Sequence, residues 1–176
     1  PEQRKFLDLY SKRYEIRVLK EVMTNIFDHR NTDPVDVSPY REFFRLHSNI
    51  DVDRITACST MEELISCLKG NEFYIPLSRI QEHEKALLFD YGMALDLYYF
   101  STMWKKGKRI LKGHEQKIFL KDYGTKIDLL NLQWIYRAKK YYHMLPPDIY
   151  SMTIPIHYRV RVEEFKSLVV TPTLEQ

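Results

Sequence analysis

The sequence has few of the residues that build the commonest reactive sites. It holds two cysteines, five isolated glycines and six scattered histidines among 176 residues. Cys58 and Cys67 form neither a disulfide framework nor a zinc motif, which favours a reduced cytoplasmic setting. The phosphate-binding pattern GxxxxGKS/T and the nucleophile motif GxSxG are absent, and no two histidines have the spacing of metal ligands. We therefore predict no catalytic, cofactor-binding or metal-binding residues.

Long apolar runs and a strong charge of one sign are also missing. No stretch reaches the roughly 18 apolar residues that a membrane-spanning helix needs, and no signal peptide is visible. The formal net charge of +3 is too small to indicate a nucleic-acid partner. The basic run 105–109 is more typical of a helix end than of a phosphate site. The chain starts without Met and already within a helical pattern, which predicts a piece of a longer protein.

What the sequence has in quantity is helical periodicity. Its 44% apolar and 29% charged content is typical of a globular protein. One apolar stripe, with spacings of three and four residues, consists of Phe119, Tyr123, Ile127, Leu130, Trp134, Ala138, Tyr141 and Leu145. This stripe predicts a long helix that ends at Leu145, because Pro146 and Pro147 cannot continue it.

The same periodicity and several capping residues predict the other helices. The apolar patterns predict helices over about 5–27, 80–110, 148–152 and 162–169. Ser38 and Asp51 are predicted N-caps, and the segment from Thr60 to Glu63 reads as a capping box. Gly70 is predicted to end the helix that follows this box in the left-handed conformation. The chain is therefore predicted to be all-α.

An internal repeat is visible when the chain is aligned with itself at a shift of 113 residues. The shift superimposes similar residues: Tyr10 on Tyr123, Glu15 on Asp128, Leu19 on Leu132 and Pro34 on Pro147. It also places the capping-box sequence 60–63 on 173–176, although two unrelated amphipathic helices can align by chance. We predict a first helical unit at 1–80, partial at its N-terminus. A second unit is predicted at 81–176, running into the truncated start of a further one.

Polar residues lie within reach of the apolar stripe, where a simple core helix would not place them. They are Asp128, Asn131, Arg137 and Lys139. A buried polar group without a partner costs several kcal/mol, so these side chains need partners. One interpretation is structural: they tie this helix to the preceding long helix or to a neighbouring repeat. The other is an inter-subunit contact, and we favour the structural one.

Four segments form an ordered series that is specific to one family. They read ALDLYYF at 94–100, IDLLNL at 127–132, IYRAKKYY at 135–142 and IPIHY at 154–158. This series resembles the subunit of V-type and A-type rotary ATPases that is called C in bacteria and archaea and d in eukaryotes. The resemblance covers about 88–169 well and 1–80 more loosely. His157 is a departure, because the family often has glycine there.

The resemblance implies an all-α protein of repeated multi-helix units, as part of a funnel-shaped, pseudo-threefold arrangement. It implies a non-catalytic central-stalk subunit at the cytoplasmic face of the membrane. Its partners would be the proteolipid c ring and the central shaft, with no nucleic acid, small-molecule substrate or cofactor. The coupling would serve proton or sodium transport, or ATP synthesis.

The family series and the polar set together give the candidate framework or interface residues. These are Asp96, Tyr98, Tyr99, Asp128, Asn131, Arg137, Lys139 and Tyr158. Two alternatives stay open. One is a helical-repeat scaffold unrelated to rotary ATPases, which would bind neither ring nor shaft. The other is a helical enzyme whose site is assembled in space, which would need a deep pocket with converging ionisable groups.

Overall fold

The computed structural model describes residues 2–28, 35–83 and 85–171. Within these ranges the chain forms helices and loops and no strand, which confirms the all-α prediction. The α-helices are α1 (Glu2–Phe27), α2 (Arg41–His47), α3 (Val52–Thr56), α4 (Met61–Cys67), α5 (Tyr74–Gln81), α6 (Leu88–Ile110), α7 (Gly113–Lys140), α8 (Pro146–Met152) and α9 (Val162–Val170). A 3-10 helix, Ser38–Tyr40, precedes α2.

The chain divides into two compact units. The central unit is Tyr10–Tyr99, and the terminal unit combines Pro1–Leu9 with Phe100–Gln176. Helices α1 and α6 each contribute residues to both units, because the divisions fall inside them. The boundary predicted at residue 80 concerns the units of the predicted repeat, which are a different division from these compact units. It stays a prediction.

Each unit has its own apolar core. The central unit buries Val18, Leu19, Met23, Ile55, Leu64, Leu68, Phe73, Leu77 and Leu95. The terminal unit buries Met103, Phe119, Ile127, Ile135, Ala138, Ile149, Ile154, Phe165 and Val169. Burial of these side chains from water is the main stabilising contribution of each unit.

Two predicted N-terminal caps and the left-handed conformation of Gly70 are confirmed, although α4 ends earlier, at Cys67. Asp51 caps α3, where its carboxylate accepts a hydrogen bond from the Arg54 N–H at 3.1 Å. Thr60 and Glu63 form the capping box of α4. Gly70 has a φ of +86°, in the left-handed region that favours glycine. The prediction for Ser38 was wrong, because Val37 is the N-cap of the 3-10 helix and no side chain caps it.

The predicted helix over 80–110 is two helices. Helix α5 already begins at Tyr74, with Pro76 in its first turn, where a missing N–H is tolerated. Helix α6 begins only at Leu88, and the Asp90 carboxylate accepts a hydrogen bond from the Leu87 N–H at 2.8 Å. The break coincides with a run of polar residues at 81–85, a signal that the sequence contained and that the predicted helix over 80–110 ignored.

Helix α7 is the long predicted helix, but it ends five residues early. After Lys140 the chain reverses at His143, whose φ is +49°, and the Met144 N–H donates to the Ala138 carbonyl at 3.1 Å. The last two members of the predicted stripe are therefore outside the helix. Tyr141 is 61% exposed and Leu145 is 67% exposed.

Under the predicted repeat shift, the first helices of the two copies end at corresponding positions. Shifted by 113 residues, the end of α1 at Phe27 falls on Lys140, the last residue of α7. The following segments differ, because α2 falls on 154–160, where there is no helix. The second predicted capping box at 173–176 and Pro34 lie outside the described residues. The relation between the copies stays a prediction.

Candidate framework and interface residues

Asp128 is a buried carboxylate on α7 that holds another segment of the chain. It is 6% exposed and accepts three backbone hydrogen bonds, from the N–H groups of Tyr158 (3.0 Å), Arg159 (2.6 Å) and Val160 (3.1 Å). Hydrogen bonds to an ionised acceptor are about twice as strong as neutral ones. The carboxylate thus fastens the loop between α8 and α9 to α7.

Asn131 holds the same loop one helical turn further along. Its Nδ2 donates to the Ile154 carbonyl at 2.9 Å, and its Oδ1 accepts from the Ile154 N–H at 2.8 Å. Residues three apart lie on the same face of a helix, so Asn131 and Asp128 act on one loop. We name residues 153–160 the clamped loop. The predicted partner of these side chains was the preceding helix or a neighbouring repeat, and the observed partner is this loop.

Tyr158, in the clamped loop, packs directly on a glycine of α7. A methyl group at Gly124 would lie 2.7 Å from Cδ2 and 2.8 Å from Cβ of Tyr158, closer than carbon atoms approach. The ring of Trp104 meets the Tyr158 ring edge-on, with centroids 6.3 Å apart. Gly124 was not among the residues predicted from the sequence. The sequence could have indicated this residue, because Gly124 is a lone glycine inside a predicted helix, one turn before Asp128. Such a glycine often marks close packing.

Lys139 joins the last turn of α7 to the end of α9. Its Nζ donates to the carbonyl of Thr171 at 2.5 Å and also to that of Leu168. A cation at the carbonyl end of a helix is stabilised by the unpaired acceptors there. Partial burial lowers the pKa of Lys139. The contacts of Lys139 are therefore within the terminal unit.

Arg137 lies on the exposed side of the same turn. Its guanidinium forms no hydrogen bond or ion pair with any residue of the described ranges. Arg137 belongs to an exposed cluster that we name the aromatic–basic patch. The patch consists of Tyr136, Arg137, Lys140, Tyr141 and Tyr142. Lys140 Nζ donates to the Tyr136 hydroxyl at 2.6 Å and lies 5.7 Å from the centroid of the Tyr141 ring. The apolar stripe placed Arg137 within reach of the core, but Arg137 is exposed, because the buried face of α7 passes through Ile135 and Ala138 instead.

The other three candidates lie on α6 in the central unit. Each forms a side-chain hydrogen bond there: Asp96 Oδ1 with Lys20 Nζ (2.6 Å), Tyr98 OH with Glu72 Oε2 (2.6 Å), and Tyr99 OH with the Tyr10 carbonyl (3.2 Å). Two of these contacts join α6 to α1, and the third joins α6 to the loop before α5. All three candidates therefore help to fix α6 within this unit.

Glu15 is a buried acid that the sequence analysis did not select. It is 0% exposed, and neither carboxylate oxygen receives a well-aligned hydrogen bond from a described residue. Lys12 Nζ lies 3.2 Å from Oε2 of Glu15 and 2.5 Å from Oε1 of Glu72, so one cation serves two acids. Burial raises the pKa of Glu15, and the opposing effects of Ser48 and Lys12 are smaller. The sequence did contain one indication of Glu15, because the predicted repeat shift aligns Glu15 with the candidate residue Asp128.

An apolar groove of about 470 Å³ lies in the terminal unit. Phe6, Leu7 and Ile118 line it, and Gln3 donates a hydrogen bond to Glu115 at its rim (2.7 Å). In the described part of the chain, no three His, Cys, Asp or Glu residues are grouped as metal ligands. None of the described helices is both long enough and apolar enough to cross a bilayer.

Comparison with known proteins gives one match. A family model described as ATP synthase (C/AC39) subunit matches residues 1–176. No curated protein and no solved structure matches the chain. The family match covers both units and every candidate residue described above.

Proposed function

Since this chain belongs to the ATP synthase (C/AC39) subunit family, we propose that it is a non-catalytic central-stalk subunit of a V/A-type rotary ATPase. It couples the central shaft to the proteolipid c ring, so that torque drives proton or sodium transport, or ATP synthesis in reverse. It lies peripherally at the cytoplasmic face of the membrane sector, as part of a funnel-shaped, pseudo-threefold helical protein. The family match over residues 1–176 is the observation that carries this proposal.

The clamped loop supports a role in transmitting force. A subunit that passes torque between two partners must not relax internally under load. Asp128 and Asn131 satisfy the backbone groups of the loop with five hydrogen bonds, all on one face of α7. Buried and satisfied polar contacts of this kind make a packed region stiff. We assign seven candidates to this framework role: Asp96, Tyr98, Tyr99, Asp128, Asn131, Lys139 and Tyr158.

The aromatic–basic patch supports a contact with a protein partner. Tyrosine and arginine dominate the energetically important positions of protein interfaces. Arg137 has a guanidinium that no described residue engages, and Tyr141 is 61% exposed beside it. We assign Arg137 and Tyr141 to the contact with the c ring or the shaft.

The proposal is tested by reconstituting the complete protein with the head and the membrane sector in vesicles. ATP-driven ion uptake is expected only when the subunit is present, because the head and ring are otherwise uncoupled. ATP hydrolysis by the isolated head is expected to be the same with and without the subunit. An unrelated helical-repeat scaffold would restore no uptake and would bind neither ring nor shaft.

The assignment of Arg137 has its own test and control. Arg137→Ala is expected to weaken binding to the ring or the shaft by about tenfold, the effect of losing one important interface residue. Arg109→Ala, which also removes an exposed arginine near a helix end, is expected to leave binding unchanged. Equal affinities for the two variants would remove the patch from the interface, although the family-based proposal would stand.

A further inference from the structure

The central unit contains a pair of thiols that the proposed function does not use. Cys58 follows α3 in the loop before α4, and Cys67 is the last residue of α4. Their Sγ atoms lie 3.6 Å apart, although the residues are nine positions apart in the sequence. Both side chains are half-buried, so a small oxidant can reach them.

We propose that Cys58 and Cys67 form a reversible modification site that reacts with a disulfide oxidant, such as oxidised glutathione, and closes to an intramolecular disulfide. The site is independent of the rotary-ATPase proposal. It changes the covalent connection between the loop before α4 and the end of that helix.

The fold holds the two thiols next to each other. The Cys58 N–H donates to the Ile55 carbonyl at 3.3 Å, and the adjacent Ser59 N–H donates to the Glu63 carboxylate at 2.8 Å. Leu64 and Leu68 anchor α4 in the core, which fixes the backbone at Cys67. A disulfide needs the sulfur atoms about 2.05 Å apart. The 3.6 Å between the two Sγ atoms therefore has to shorten for the bond to form.

The reaction balances with one disulfide oxidant, written RS–SR. The Cys67 thiolate attacks one sulfur of RS–SR, forms a mixed disulfide and expels RS⁻, which takes up a proton. The Cys58 thiol then loses its proton and attacks Sγ of Cys67, which expels the second RS⁻. The protein loses two electrons and two protons, and the oxidant becomes two molecules of RSH.

The electrostatics around Cys58 set this order of attack. Burial, the hydrogen bond with Cys67 and the negative charges of Cys67 and Glu63 raise the pKa of Cys58 to about 12. Cys58 is therefore a thiol at neutral pH, and its Sγ lies 3.4 Å from the Arg54 carbonyl. Once Cys67 is in the mixed disulfide it carries no charge. Two causes of the raised pKa then disappear, and Cys58 becomes easier to deprotonate.

The test is peptide mapping of the complete protein after incubation with oxidised glutathione. Trypsin cleaves after Arg54 and Lys69, so one peptide, 55–69, contains both cysteines. The expected product is this peptide lighter by two hydrogen atoms, about 2 Da, and resistant to alkylation until it is reduced. A peptide that carries only glutathione, that is linked to a second chain, or that stays reduced overturns the proposal.

Two controls show whether the fold builds the site. Cys58→Ser and Cys67→Ser are each expected to stop at a glutathione adduct, because no second thiol is available to displace it. The wild-type protein is expected to close its disulfide faster in native buffer than in concentrated urea, where the sulfur atoms are no longer held together. Equal rates in the two conditions would mean that the sequence alone brings the thiols together, and would overturn the role of the fold.

Discussion

Helices α1 and α7 carry buried carboxylates at positions that the predicted repeat aligns, and the two acids have opposite surroundings. On α7, Asp128 accepts three backbone N–H groups from the clamped loop. On α1, Glu15 has Lys12 beside it, shared with Glu72, and no well-aligned donor. One acid thus has backbone donors in place of water, and burial raises the pKa of the other.

The difference shows that burial alone does not define the role of an acid. A buried charge is stabilising only when donors replace the water it has lost. Asp128 has such donors because a loop without helical hydrogen bonds turns its N–H groups toward α7. In the first copy the corresponding residues 45–47 end α2. Of the two acids that the predicted repeat aligns, one is therefore a structural anchor and the other a buried acid without well-aligned donors.

The largest expected effect comes from giving α7 the residue that α1 has. Asn131 corresponds to Val18, so Asn131→Val removes both hydrogen bonds to the buried backbone of Ile154. Leaving these two groups unpaired should cost about 2–5 kcal/mol of unfolding free energy, measured by urea denaturation. The conservative change Val18→Ala is its control for a buried residue without polar partners. A loss below that of Val18→Ala would contradict the anchoring role of Asn131.

Exchanging each carboxylate for an amide tests the comparison itself. Asp128→Asn should cost about 2–4 kcal/mol, because a neutral oxygen replaces a charged acceptor and the new NH₂ group faces an N–H. Thermal unfolding of Asp128→Asn and of Glu15→Gln under identical conditions compares the stability that each variant loses. Equal losses in the two variants would erase the distinction between the anchored acid and the acid without well-aligned donors.

A smaller effect is expected where the clamped loop touches α7. Gly124→Ala should cost about 1–3 kcal/mol, because the Tyr158 ring and its backbone must shift to admit a methyl group. Gly92→Ala on α6 is the matched control, since its methyl group would meet only Lys20 Cε, at 4.0 Å. That change should stabilise the protein by about 0.5–1 kcal/mol. If Gly124→Ala and Gly92→Ala both destabilise the protein, the loss of stability comes from the helix backbone and not from the contact with Tyr158.

The smallest expected effect is the pH dependence of Glu15. Its pKa is raised in the folded state, so the folded protein binds the proton more tightly than the unfolded chain does. The resulting stabilisation is complete below the ordinary glutamate pKa and is lost as the pH rises through the raised value. Glu15→Gln should remove this loss, so the variant gains in Tm relative to wild type as the pH rises from 4 to about 7. A constant difference in Tm across that range would show that Glu15 does not titrate abnormally.

Much of the fold could be predicted because helix formation and capping depend largely on residues that are close in the sequence. The capping box of α4, the cap at Asp51 and the left-handed Gly70 depend on neighbouring residues, and all three are confirmed. The break before α6 was missed although the polar run 81–85 interrupts the apolar period there, because polar residues also occur on the exposed face of a helix. Helix α7 was extended too far because Tyr141 and Leu145 continue the period after the chain has turned.

The side chains of Asp128 and Asn131 could be predicted from the sequence, but the backbone groups that they bind could not. Asp128 and Asn131 were selected because polar residues stood near an apolar stripe. Their partners are backbone groups of the clamped loop, and a backbone N–H looks the same in every sequence. The burial of Glu15 depends likewise on α1 packing within its unit, and the surrounding sequence does not record it. Only the repeat shift connected Glu15 with Asp128.

The contact between Trp104 and Tyr158 gives the clamped loop an optical signal. The indole lies against the ring that Asp128 holds in place through the Tyr158 N–H. The chain has two tryptophans, so Trp134→Phe leaves Trp104 as the single indole fluorophore. Release of the loop would expose this indole to water and move its emission to longer wavelengths. The fluorescence of the protein would then show whether the loop stays seated on α7.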